Sequence, residues 1–131
     1  MHGLMIQDSA SGDWLVHCGF NNHDTTLIGR YPKSLFTGGF GDRATNIHIG
    51  SIVMARNTGL VPMGSGYLPT NDTMATATAA SFSNIQIIDQ NGHASLLSHD
   101  LPGYMSRPDL YSVSPVINGH FFYGGPYQTT T

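Results

Sequence analysis

Asn-Gly occurs twice in this chain, at Asn91-Gly92 and Asn118-Gly119. Few dipeptides constrain a fold more, because both residues accept the positive φ that tight hairpin turns demand. Each is flanked by β-formers: Asn84 to Asp89 before the first, Val113 to Ile117 and His120 to Tyr123 around the second. Two antiparallel hairpins are therefore expected in the C-terminal half. Sixteen glycines and few strong helix formers argue against helix elsewhere.

The remaining segments read in the same way. Trp14 to Phe20 is expected as a strand with Trp14, Val16, Cys18 and Phe20 on one face, and Thr25 to Arg30 as its neighbour. Tyr31 to Phe36 has room for one helical turn, since proline is tolerated at a helix start, and glycines 38, 39 and 41 end it. Thr45 to Arg56 alternates Ile47, Ile49 and Val53 with smaller or polar residues and predicts another strand. Asn57 to Thr70 is a long loop. Thr76 to Asp89 is expected as a strand pair or one bent strand. Many short strands separated by Gly, Pro and Asn predict a single all-β domain over residues 1–131, an antiparallel β-sandwich with little or no helix.

Charge and cysteine content narrow the function. The net charge is −3, and the five cations, Arg30, Lys33, Arg43, Arg56 and Arg107, are scattered. That leaves no footprint for a phosphate backbone, so nucleic acid is not an expected partner. No run of apolar residues is long enough for a membrane span, and the opening "MHGLMI" lacks the basic start and apolar core of a signal peptide. Cys18 is the sole cysteine, which excludes an intrachain disulfide and any two-thiol motif. The seven histidines show neither H-x-H nor H-x-x-x-H spacing, so no metal site and no cofactor are expected. Gly64-Ser65-Gly66 lacks the strand-turn-helix setting of a nucleophile elbow.

All eight acidic residues are aspartate: Asp8, Asp13, Asp24, Asp42, Asp72, Asp89, Asp100 and Asp109. There is no glutamate. Thirteen aromatics remain as the main recognition chemistry. Tyr31, Tyr67, Tyr123 and Tyr127, with Pro69, stand near glycine or proline and are the candidate ligand contacts, either stacking on a ligand or filling the core. Asn71-Asp72-Thr73 is a glycosylation sequon at Asn71, meaningful only in a secretory compartment.

Several motifs in order resemble the neprosin family, plant proteins that include glutamic-type prolyl endopeptidases. "IGRYPKSLF" resembles the family's I-G-Y-W-P-x-x-L-F, and "MGSGYLP" its M-G-S-G-H-F-P. "NIQIIDQN" resembles N-L-Q-V-V-D-x-N, and "FFYGGP" resembles F-Y-Y-G-G-P. The likeness runs from about residue 12 to residue 126 and is to the C-terminal half of the domain. It implies a β-sandwich, an extracellular location and a mechanism in which two catalytic glutamates serve one water. One of these belongs to the N-terminal half. The other aligns with Ile52, in Ile49-Gly50-Ser51-Ile52-Val53, where the family has a W-G-G-E-V-like strand. Leu110 stands before Tyr111 where the family often has cysteine, so the family's C-terminal disulfide is not expected.

These features predict a non-catalytic neprosin-like domain that binds proline-rich peptide or a cell-wall glycan. Two alternatives stand beside it. One is hydrolysis through Asp and His, or through a half-site completed by a second chain. The other is a structural homodimer in which two copies restore two layers.

Overall fold

The computed structural model describes residues 1–21, 23–54, 60–69, 78–98 and 101–126. The chain forms two compact units, Met1–Ile49 and Gly50–Thr131. Among the described residues, eight strands and two single 3-10 turns make up the regular structure, and every strand pair is antiparallel. The all-β expectation holds.

In the first unit, β1 (His2–Gln7), β2 (Trp14–Gly19) and β3 (Thr26–Tyr31) form one sheet in that order. The β2–β3 hairpin is the one that the alternation around Trp14 predicted; its register slips by one residue between Val16 and His17. β1 carries a weak pattern: Leu4 and Ile6 are half-buried on the face opposite Trp14, and Met5 between them is exposed. It is held through pairing with β2, from His2 opposite Gly19 to Gln7 opposite Trp14. Asp8 folds the connecting loop, where its carboxylate accepts from the Ser11 hydroxyl and, at 3.0 Å, from the Ser11 amide.

Trp14 is the buried centre of this unit, 8 % exposed. The chain after β3 wraps over it. Pro32 precedes a 3-10 turn at Lys33–Leu35, and a second turn follows at Gly39–Gly41. The expected helical turn is thus present, with Pro32 at its cap. These turns bring Phe40 flat against the indole, with ring centroids 4.9 Å apart and planes 10° from parallel. The Trp14 Nε1–H donates to the Phe40 carbonyl at 3.0 Å. Burial thus leaves no unsatisfied indole donor. Asp13, one residue earlier, pairs with Arg30 at 3.1 Å and accepts from the Lys33 amide at 2.8 Å, tying β2 to the start of the turn.

In the second unit, β4 (Ala80–Phe82), β8 (Phe121–Gly124) and β7 (Ser112–Val113) form one sheet in the order β4-β8-β7. β5 (Gln86–Ile88) and β6 (Ala94–Leu96) form a separate ribbon. Both Asn-Gly turns are where the sequence puts them, with different geometry. Asn118 and Gly119 both take positive φ, 50° and 67°, the signature of a type I′ turn, between the paired Ile117 and His120. At the other turn only Gly92 is positive, at 81°, which fits a three-residue loop closed by a glycine bulge. Asp89 stabilises that loop by accepting from the Asn91 amide at 2.8 Å and the His93 amide at 3.0 Å.

A ring of three backbone hydrogen bonds joins the two sheets of this unit. The Ile85 N–H donates to the Gly119 carbonyl at 3.0 Å, Gly119 donates to Leu97 at 2.7 Å, and Leu97 donates back to Ile85 at 2.9 Å.

Two strand expectations need correction. Residues 45–54 form no strand, and Arg56 lies outside the described residues. The alternation of Ile47, Ile49 and Val53 is a local signal, whereas a strand exists only through a partner's ladder; none is paired to it among the described residues. Residues 78–89, the described part of the segment Thr76 to Asp89, form neither one bent strand nor two strands paired with each other. They hold β4 and β5, which belong to different sheets. Asn84, at φ 54°, interrupts the extended chain between them.

Candidate functional site

The candidate contacts fall in both units. Tyr31 ends β3 and borders an open apolar hollow of about 390 Å³, lined also by Met5, Val16, Phe36 and Phe40. Val16 pairs across the sheet with Met5 on one side and Gly29 on the other. With no side chain at Gly29, nothing on β3 fills the space beside Val16. Phe36 and Phe40 form the opposite wall, edge to face at 4.7 Å and 79°. Tyr31 is tilted 58° to Phe36 at 6.4 Å and is half exposed. Phe40 in that wall is stacked on the Trp14 ring. Met5, Phe36 and Phe40 were not singled out from sequence. The spacing of Tyr31, Phe36 and Phe40 around a glycine-rich turn is the signal that could have found them.

Tyr67 and Pro69 lie in the second unit, in the loop "MGSGYLP". This loop is locked onto β8. Met63 forms a bridge with Gly125, its amide donating to the Gly125 carbonyl at 2.8 Å, and Gly66 turns back to the Met63 carbonyl at 3.0 Å. Gly64, at φ 61°, packs over Ala80 and the Tyr123 ring. Gly124 faces the Tyr67 carbonyl so closely that a Cβ there would overlap it. The Tyr111 hydroxyl donates to the Val61 carbonyl at 2.8 Å and anchors the entry to the loop. Tyr67 itself remains exposed, and Pro69 is half buried.

Tyr123 is half buried, its ring 5.2 Å from Phe82 and 6.3 Å from Phe121. Phe82 and Phe121 stack at 5.1 Å and 26°. These rings with Gly64 form the core under the loop, so the geometry gives Tyr123 a packing role. Tyr127 and the sequon at Asn71 lie outside the described residues.

Ile52 belongs to no strand and is 88 % exposed. Leu110 is half buried, its carbonyl against Gly125. Four surface aspartates are held below the ordinary carboxylate value of 3.8, each by its own donors. Asp8 is lowered by Ser11, Asp42 by Lys33, Asp89 by the His93 amide and Asp109 by Arg107. The Asp109 pair is bidentate, with Arg107 Nε at 2.9 Å and Nη2 at 2.7 Å. A proton-sharing carboxylate dyad requires the opposite, one partner pushed upward. Each of the four is engaged by donors of its own. Among the described residues no three His, Cys or Asp side chains converge as a metal site.

The neprosin family model matches residues 1–126, and the chain belongs to the neprosin family. No curated protein and no solved structure matches it.

Proposed function

We infer that this member of the neprosin family is a non-catalytic domain that binds extended, proline-rich peptide. The observation that carries the reading is the absence of glutamate from all 131 residues. The chemistry implied by the family resemblance runs through glutamate carboxylates. Isoleucine, at the position aligned with one of them, neither accepts nor donates a proton.

The binding half of the reading draws on the hollow beside Tyr31. Its volume of about 390 Å³ suits a short apolar segment. Its aromatic walls offer flat faces to prolyl rings. A proline-rich segment is already extended and loses little entropy when it docks on such a surface.

The test is titration calorimetry with proline-rich peptides and cell-wall glycans, beside mass spectrometry of the same peptides after incubation. Saturable peptide binding without cleavage is expected. Tyr31→Ala should weaken it roughly tenfold, about 1.4 kcal/mol, with no change in the unfolding midpoint. Loss with Tyr67→Ala instead would move the site to the "MGSGYLP" loop, and binding of glycans alone would change the ligand class. Specific cleavage, abolished by replacing one aspartate, would overturn the non-catalytic reading.

A further inference from the structure

The two Asn-Gly turns share a sequence and differ in everything around it. Asparagine followed by glycine is the dipeptide most prone to spontaneous loss of its side-chain amide, because glycine leaves the attacking backbone nitrogen unshielded. That reaction also needs the nitrogen to leave its hydrogen bond and swing toward the asparagine side chain. The local fold therefore sets the rate.

At Asn118 the fold opposes it. Gly119 is buried, and its N–H donates to Leu97 at 2.7 Å. Any Cβ at Gly119 would meet Leu96 and the Ile85 carbonyl, so the turn is packed on its neighbours. Freeing this nitrogen breaks the three-membered ring of hydrogen bonds, within a turn also held by the Ile117–His120 pair.

At Asn91 the fold permits it. Asn91 and Gly92 are exposed, and nothing beyond the adjoining residues lies within 4 Å of where a Gly92 Cβ would be. The Gly92 N–H makes a turn bond to the Asp89 carbonyl, at 3.0 Å, and weakly faces the exposed Asp89 carboxylate, both partners lying within the turn itself. The turn closes the ribbon β5–β6 at the end away from the Ile85–Leu97–Gly119 ring, so its tip can open without breaking that ring.

We propose that Asn91 is a structure-selected site of spontaneous conversion to aspartate and isoaspartate. The deprotonated Gly92 nitrogen attacks the Asn91 side-chain carbonyl carbon and forms a C–N bond. The C–NH2 bond breaks, and the amide nitrogen leaves as ammonia after taking up protons from solvent. Water then opens the resulting five-membered imide at either carbonyl, to give aspartate or isoaspartate. The net reaction consumes one water and releases one ammonia. Either product adds a negative charge beside Asp89, and isoaspartate also lengthens the backbone within the turn.

The experiment is incubation of the folded chain in mildly alkaline buffer. Peptide mapping by mass spectrometry and enzymatic methylation of isoaspartate then follow each site. The folded chain should convert Asn91 roughly tenfold or more faster than Asn118, equal to about 1.4 kcal/mol of difference in local opening. In denaturant the two rates should converge. Asn91→Gln should remove the folded-state signal, because the longer side chain closes its ring slowly. Equal rates in the folded chain, or faster conversion at Asn118, would overturn the proposal.

Discussion

Gly124 lies directly against the carbonyl of Tyr67. Thus "MGSGYLP" and "FFYGGP", distant in sequence, are the two sides of one backbone contact. The glycine is needed for close approach, since any side chain would displace the loop. Gly124→Ala should destabilise the second unit by about 1–3 kcal/mol, as overpacking does, and expose the 63–69 loop to proteases. Gly29→Ala, where nothing lies within 4 Å, should change stability by no more than about 0.5 kcal/mol. Urea unfolding of both variants checks the contrast; equal effects would refute the close-contact argument.

Trp14 anchors the first unit in two separable ways. Trp14→Phe keeps an aromatic face for Phe40 but loses the bond to the Phe40 carbonyl, at a cost of about 0.5–1.5 kcal/mol. Trp14→Ala removes the stacked surface too and should cost about 3–5 kcal/mol. Circular dichroism during denaturation measures both. A Phe variant as unstable as the Ala variant would mean that the hydrogen bond, not the ring, dominates.

Asp89 makes its turn acid-sensitive. Its folded carboxyl is held below 3.8, first by the His93 amide and then by that of Asn91. The stabilisation is complete above 3.8 and is lost as pH falls through the lower folded value. Amide exchange at Asn91 and His93 should therefore gain an extra acceleration in strong acid, after allowance for the intrinsic pH dependence of exchange. Asp89→Ala should exchange faster throughout and lose that extra acid dependence. Nuclear magnetic resonance resolves both amides.

The parts of this fold that could be read from sequence are those with local causes. Asn118-Gly119 specifies a turn through its own dihedral preferences, and the run of β-formers from Trp14 marks β2, although its burial does not alternate and Phe20 lies exposed beyond its end. Residues 45–54 failed for the converse reason: Ile47, Ile49 and Val53 alternate, but pairing depends on residues elsewhere. β1 was missed because Leu4 and Ile6 are too short a pattern without β2 beside them. The same divide runs through the site. Tyr31 was visible as an aromatic next to proline. Phe36 and Phe40 join it through two 3-10 turns that carry the chain back over Trp14; their spacing around the glycines hints at a turn but does not say which face it covers.

The closed ring of hydrogen bonds among Ile85, Leu97 and Gly119 bears on how the second unit assembles. Each hairpin needs only neighbours in sequence and forms on the microsecond scale of local turns. The Leu97-to-Ile85 bond only extends the β5–β6 pairing, but the two bonds to Gly119 span distant positions and gain nothing until both hairpins exist. Closure of the ring is therefore the slower, topology-limited step. Slowing either turn should delay the same late event, which makes the pair of hairpins a kinetic coincidence detector for correct assembly.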